Sequence, residues 1–377
     1  MTNIIFICSS LEPGRDGVGD YTRYLSYELV NHGYKIAIIA LHDRYVFEDN
    51  ESSVQTENGK TLRLLRLSID TPISEKLKKA SQFINTHKPD LLSLQFVPFG
   101  FHPKGLPFWL NKFLKKLSSD IQWHFMFHEL WVGMAEKSSV KLIFWGYIQR
   151  LLIINLVKSL RPFIINTQSH TYQQYLKKYN INSEILPLIT NIPPTHYTTS
   201  LKENPVKKAF DTKTFNFVVF GSIHPYSLIE QLAIEVANKV KQEFWSVTLT
   251  ILGRQSNESK NWIAVWKRNG LNVNYLGEQS AEEISKILSQ STIGLSSTAF
   301  AVIEKSGSVA AMLAHGLPVL CIASEWKPRG IIPLENHPGI LAYKNSNLET
   351  VLQLAEKTSI PIITVSDIAR QFIRYLE

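Results

Sequence analysis

Ala301-Val302-Ile303-Glu304-Lys305-Ser306-Gly307-Ser308-Val309-Ala310-Ala311-Met312-Leu313-Ala314-His315-Gly316-Leu317-Pro318-Val319 reads as three pieces in order. These are a loop rich in charge and small donors, a helix of small and apolar residues closed by Gly316, and a strand entered through Pro318. A loop that opens a helix presents backbone N–H groups without helical partners, and Lys305 adds a full positive charge at the same spot. The stretch predicts a pocket for a phosphorylated ligand, late in an α/β sheet.

The same alternation extends outward from it. Upstream come apolar strands at Phe215 to Phe220, Val247 to Leu252, Val273 to Leu276 and Ile293 to Leu295. Helices lie between them, at about Leu228 to Lys241, around Trp262, and after the capping box Ser280-Ala281-Glu282-Glu283; Val319 to Ile322 is the last strand. The first half repeats the theme. Asn3 to Ser9 is a strand, a loop runs through Gly19, and a helix carries Tyr21, Tyr24, Leu25 and Leu29 on one face. Gly33 closes that helix before strands at Lys35 to Leu41, Leu91 to Phe96 and Trp123 to Phe127. Strands alternating with helices predict an α/β protein with two doubly wound, largely parallel sheets. The pattern breaks around Leu186-Pro187-Leu188-Ile189-Thr190-Asn191-Ile192-Pro193-Pro194 and a polar segment follows through Lys207. The expected domains are therefore 1–195 and 205–365, with an amphipathic helix at 366–377 docking back on the first. Two such domains in tandem are expected to leave a cleft between the carboxyl ends of their strands, where chemistry belongs.

Bulk properties narrow the class. A chain of 377 residues, 44% hydrophobic and 19% charged, has the composition of a folded protein of two domains. Cys8 and Cys321 fall in apolar runs of different domains, which argues against a disulfide framework and for a reducing cytoplasm. The run Asn3 to Cys8 is too short for a signal-peptide core and lacks a basic leader. Leu142 to Val157 is interrupted by Gln149, Arg150 and Asn155, so no transmembrane helix is predicted. A net charge of +8 suits nucleic acid, an anionic membrane surface or a phosphorylated substrate. Nucleic acid is the weakest of these, because the basic residues form no long run and no nucleic-acid motif stands out.

Several motifs bear on chemistry. Glu12-Pro13-Gly14-Arg15-Asp16-Gly17-Val18-Gly19-Asp20 joins the first strand to the first helix at the ligand-binding edge of the sheet. It is not a dinucleotide fingerprint: Thr22 stands at the third glycine position and the loop from Ser9 is too long. His124 and His128 share a face of one strand, so a metal pair is conceivable, although no further ligands are signalled nearby. A buried structural role suits His124, whereas His128, at the strand end and followed by Glu129, is better placed to bond a substrate hydroxyl. Gly221-Ser222, Gly253-Arg254 and Gly277-Glu278 close successive strands, and Arg254 and Lys305 are the cations that could converge on a diphosphate. Lys104 to Leu117 reads as one short, basic, aromatic-rich amphipathic helix, more often a domain helix than a membrane-surface one.

Taken together, Pro13 to Tyr21, Phe127-His128-Glu129, Thr190-Asn191-Ile192-Pro193, Ile251-Leu252-Gly253 and the Glu304 to Val319 stretch resemble retaining, family-4-like glycosyltransferases of the GT-B fold. These act in glycan or exopolysaccharide biosynthesis, and the resemblance covers nearly the whole chain. It implies two Rossmann-like domains, with a UDP-sugar donor held mostly by the second and a glycan or lipid-linked saccharide acceptor mostly by the first. Carried over residue by residue, it implies catalytic roles for His128, Lys305 and Glu304. Gly17, Gly19, Gly221, Ser222, Arg254, Ser306, Gly307 and Ser308 would contact the donor, and Asp16, Gln95 and Glu129 would lie on the acceptor side. It implies no cofactor and no metal, since protein cations can neutralise the departing nucleotide. The residues themselves make a cytoplasmic protein the expectation, with the inner membrane surface as a secondary partner through Lys104 to Leu117. The sequence departs from the family in two places: two glutamates usually stand eight positions apart before the Gly-x-Pro-Val turn, where this chain has Ile303 and Ala311 with Glu304 one residue out of register, and the usual Arg and Lys are absent from the loop Gly221-Ser222-Ile223-His224-Pro225. A nucleotide-sugar epimerase or hydrolase of the same fold and a non-catalytic nucleotide-sugar binder are the alternatives. A dehydrogenase is disfavoured by the glycine spacing.

Overall fold

The computed structural model describes residues 3–55, 59–117, 121–194, 205–360 and 362–377. The chain divides into two compact units. The first comprises residues up to Ile189 together with Lys327–Pro333 and Val365–Glu377; the second comprises Thr190–Trp326 and Leu334–Thr364. Residues 195–204, the polar segment expected between the domains, lie outside the described residues, as do the first two residues of the expected first domain.

The first unit is built on eight strands: β1 (Asn3–Cys8), β2 (Lys35–Asp43), β3 (Asn50–Gln55), β4 (Thr61–Ser68), β5 (Leu91–Phe96), β6 (Gln122–Phe127), β7 (Ile164–Thr167) and β8 (Glu184–Ile185). Their order is β3-β4-β2-β1-β5-β6-β7-β8, all parallel except β3, which pairs antiparallel with β4. Helices α1 (Gly17–Asn31), α2 (Ile73–His87), α3 (Pro98–Phe101), α4 (Phe108–Leu117), α5 (Val140–Leu160) and α6 (His170–Lys177) make the crossovers. Sandwiched between helical layers, β1 is almost wholly buried, which is why Ile4 to Cys8 is written as a continuous apolar run, and β5 is wholly buried although it carries Ser93 and Gln95. In the second unit β9 (Thr214–Phe220), β10 (Ser246–Leu252), β11 (Asn272–Gly277), β12 (Ile293–Ser296), β13 (Val319–Cys321) and β14 (Ile340–Ala342) form an all-parallel sheet in the order β11-β10-β9-β12-β13-β14. It is wound with α7 (Pro205–Thr212), α8 (Ile229–Glu243), α9 (Asn257–Arg268), α10 (Ala281–Gln290), α11 (Gly307–Ala314) and α12 (Leu348–Lys357). The expected pair of doubly wound parallel sheets is thus what the chain forms.

The last helix, α13 (Val365–Leu376), belongs to the first unit. Its Ile368, Ala369, Phe372 and Leu376 are buried in the core that holds Ile4, Phe6, Leu25 and Leu29, and the Phe372 ring lies 6.0 Å from that of Phe6. Cys8 and Cys321 are both buried free thiols.

Two readings need correction. The helix expected from Lys104 starts only at Phe108; Gly105 sits at φ +64° in the left-handed region and Pro107 has no N–H to give, so the segment before Phe108 is a turn. More consequentially, the interrupted apolar run is one continuous helix, α5, of 21 residues, long and apolar enough by those criteria to cross a membrane. Two of its polar interruptions, Gln149 and Arg150, turn inward, whereas Asn155 stays exposed. Gln149 is buried, accepting from Val132 N at 2.8 Å and donating to Gly105 O at 3.2 Å. The Arg150 guanidinium lies over the rings of Tyr179 (4.5 Å), Tyr147 (5.2 Å) and Trp131 (6.0 Å), so cation–π contacts offset its desolvation. Gly146 is the contact point: a Cβ there would meet Val132 O at 1.9 Å, so any larger residue would push the helix off the domain.

Candidate active site

In the second sheet β9 is flanked by β10 on one side and β12 on the other, so the winding reverses between β9 and β12. Ligands bind α/β sheets at the carboxyl ends of the strands beside such a reversal. Gly221 and Ser222 follow β9 here; Ser297 and Thr298 follow β12, leading through a 3-10 turn (Phe300–Lys305) into α11. The predicted loop is therefore a tight helical turn. The N-terminus of α11 comes to the end of β9, where a Cβ on Gly221 would lie 3.8 Å from Ser308 Cβ. Ser306 caps α11, accepting from Val309 N at 3.4 Å, and its hydroxyl is 3.0 Å from Ser308 Oγ. Gly307 faces open space, and Ser297 Oγ pins the loop after β9 by accepting from His224 N at 2.8 Å. Small residues, two hydroxyls and the helix N–H groups converge on one concave spot, an arrangement suited to an anion.

Glu304 and Lys305 end the 3-10 turn beside this cluster and are half-buried. Glu304 Oε1 lies 3.7 Å from Nδ1 of the buried His337, whose ring packs edge-on against Phe300 at 4.9 Å. Ser222 is exposed. Arg254 leaves the end of β10 and pairs with Glu278 at 2.7 Å, its side chain 68% exposed, so its guanidinium is not gathered into the cluster. Ile303 and Ala311, at the two positions where the resemblance would have glutamates, are wholly buried among Val218, Met312 and Val319. They are core positions, and a carboxylate at either would be desolvated without a partner.

In the first unit the winding reverses between β1 and β5. The loop after β1 is a built structure. Glu12 pairs with Arg66 at 2.8 Å, and Arg66 pairs with the buried Asp43 at 2.7 Å. Asp16 caps α1 by accepting from Val18 N and Gly19 N, and Ser10 donates to it as well. Asp20 accepts from Gly14 N at 3.1 Å and pairs with Arg23. Asp16 is thus committed to holding the loop. Of the two glycines expected to approach donor phosphates, Gly17 borders open space. Gly19 instead permits close packing, since a Cβ on it would meet Ser10 O at 2.6 Å.

His128 is 4% exposed at the end of β6, edge-on to the Tyr21 ring at 4.9 Å. Gln168 Nε2 donates to its Nδ1 at 2.9 Å, and its Nε2–H donates to Gln95 Oε1 at 3.0 Å. Both ring nitrogens are engaged by amides, which fixes the Nε2–H tautomer. Gln95 is itself buried and donates to Ser93 Oγ at 2.8 Å; Ser93 donates to His124 Nδ1 at 2.7 Å, and His124 Nε2–H to Asn166 Oδ1 at 3.0 Å. Asn166 ends the chain by donating to Glu184 O at 3.1 Å. Every bond in this buried line runs in one direction across β5, β6 and β7. Gln95, expected on the acceptor side, is instead the clamp on His128; Glu129 follows half-buried. The conceivable His124–His128 metal pair is not formed, because both nitrogens of each ring are occupied by protein groups. Gln168, Ser93 and Asn166 carry no local sequence signal, and only the strand register brings them to the histidines.

Burial pushes His124 down to about 4, and burial followed by the Lys76 charge does the same to His42. Between about pH 6.5 and pH 4 the unfolded chain therefore binds more protons than the folded one. This contribution is complete above about pH 6.5 and is lost as the pH falls toward 4, His124 alone accounting for about 3 kcal/mol. Urea unfolding followed from neutral pH down to pH 5 is expected to show falling stability. A flat profile would mean that these rings protonate without cost in the fold.

No protein-family model matches the sequence, and no curated protein does. In fold the chain is a GT-B protein of two Rossmann-like units, the architecture of the glycosyltransferases among its structural neighbours. Anabaena HepE, solved with UDP and glucose, matches with a TM-score of 0.58 at 14% identity over 100% of this chain and 99% of that one. A Rickettsia africae glycosyltransferase matches with a TM-score of 0.55 at 12% identity over 99% and 97% of the two chains. A Listeria monocytogenes protein assigned as a UDP-N-acetylglucosamine 2-epimerase gives 0.51 at 9% over 100% and 95%.

Proposed function

We propose that this protein is a retaining glycosyltransferase that moves a hexose, in the first instance glucose, from a UDP-sugar to a hydroxyl of a glycan or lipid-linked saccharide. The observation that carries this reading is the convergence of Gly221, Ser306, Gly307 and Ser308 at the reversal point of the second sheet. The GT-B fold shared with a protein solved with UDP and glucose supports it. In this mechanism the bond from the anomeric carbon to the diphosphate oxygen breaks, and negative charge grows on the departing nucleotide. The N–H groups opening α11 and the Lys305 ammonium stabilise that charge without a metal. The acceptor hydroxyl attacks from the same face and passes its proton to the departing phosphate. His128 presents a fixed neutral ring, and a sugar hydroxyl bonds its nitrogens only by displacing Gln95 or Gln168.

The test is a thermal-shift and calorimetric panel of UDP, GDP, ADP, their glucose conjugates and NAD. UDP and UDP-glucose are expected to raise the melting temperature selectively, by several degrees at about a hundredfold excess over Kd. Stabilisation by NAD alone, or by none of the panel, removes the reading. The second reading, an epimerase or hydrolase, is favoured by the Listeria neighbour. It predicts donor turnover with no acceptor present.

A further inference from the structure

We infer that α4 and α5 of the first unit form a docking face for an anionic lipid bilayer, with α5 lying in the plane of the interface and not across it. Val140, Phe144, Tyr147 and Leu151 follow one another at four, three and four residues, one stripe on the outer face of α5, and are 82%, 63%, 47% and 46% exposed. The stripe then turns polar at Asn155 and Lys158, so the outward apolar surface covers only about 16 Å of helix. The opposite face, Gly146, Gln149, Ile153 and Leu156, is buried in the domain. A helix pinned along one side in this way offers lipid an edge and cannot be surrounded by it.

α4 runs beside α5, joined to it by Ser159 Oγ donating to Asn111 Oδ1 at 2.6 Å and, through the preceding turn, by Trp145 Nε1 donating to Lys104 O at 2.9 Å. Phe108, the first residue of α4, is 64% exposed. Neither 104–117 nor 137–161 contains an aspartate or glutamate. Lys112, Lys115 and Lys116 on α4, and Lys141, Lys158 and Arg161 along α5, are all exposed. Apolar and aromatic side chains accompanied by cations, with no carboxylate on either helix, are the signature of an interfacial element on anionic lipid. The same cations argue against a second copy of this chain as the occupant, because a two-fold contact would set one group of them against another.

The test floats the full chain with vesicles of phosphatidylcholine alone and of phosphatidylcholine with phosphatidylglycerol, in low and high salt. Binding is expected only to the anionic vesicles and weakened by salt. Lys112→Gln with Lys116→Gln should weaken binding roughly fivefold for each lysine. Phe144→Ser with Leu151→Ser should weaken it on the order of tenfold or more. Both pairs lie on the surface, so their melting temperatures and response to UDP should match the parent, which separates this inference from the reading of the donor site. Absence of binding, equal binding to both vesicles, or unaltered binding by both double variants would overturn it. So would resistance to alkaline carbonate, which marks a spanning helix, or a dimer abolished by Phe144→Ser with Leu151→Ser.

Discussion

Lys305→Ala is expected to lower kcat for sugar transfer by on the order of 10²- to 10³-fold, with little change in melting temperature. Lys305 closes the 3-10 turn that delivers Ser306 to Ser308 to the end of β9, and it is half-buried there. On the proposed reading the diphosphate is already charged in the ground state, and the lysine, the serine hydroxyls and the helix N–H groups would share its binding. In the transition state charge accumulates on the bridging oxygen, so a fixed cation gains most at that moment. The loss should accordingly fall on kcat more than on KM, and Lys305→Arg should recover part of it. A variant that loses donor affinity with kcat unchanged would place Lys305 in uniform binding. A chain with no turnover to lose, yet a normal response to UDP, would be the non-catalytic binder.

Ser93→Ala is expected to be the most destabilising small change in the first unit, by about 2 to 6 kcal/mol. Its hydroxyl receives the Gln95 amide and gives its proton to His124 Nδ1, at a position with no solvent exposure. Removing one oxygen leaves two buried groups without that partner, each costing about 1 to 3 kcal/mol. Gln95 is then free to turn, and turning releases Nε2 of His128. A chemical-denaturation midpoint reads the first effect, and a changed pH dependence of turnover reads the second. A shift of less than about 0.5 kcal/mol would show that the line of bonds reorganises around the gap.

The parallel sheets were legible because buried strands such as Ile4 to Cys8 and Ile36 to Leu41 must be written as unbroken apolar runs. β3 was not, since Asn50–Gln55 is polar and becomes a strand only by pairing with β4. The two-residue β8 and three-residue β14 are too short to carry a period. Part of the site was legible for a similar reason: the turn, cap and helix from Phe300 to Ala314 are contiguous. The apposition of Gly221 to Ser308 depends on β9 pairing with β12. The clamps on His128 come from 33 and 40 residues away, set by pairing along β5, β6 and β7. α5 was misread because Gln149 and Arg150 were taken as interruptions of a hydrophobic span, when both have partners inside the domain.

The return of α13 to the first unit also governs how the chain is made. A ribosome delivers β1 through β8 and then the whole of the second unit before Ile368, Phe372 and Leu376 emerge, a wait on the order of ten to forty seconds. Through that interval Phe6, Leu25 and Leu29 lack part of their cover, whereas the second unit, drawn from one uninterrupted stretch apart from Lys327–Pro333, can close without help from the first. The nascent amino-terminal half therefore carries a sticky apolar face during synthesis. A chaperone that captures translating chains should hold this protein most strongly at lengths short of residue 365, and let go once the helix docks.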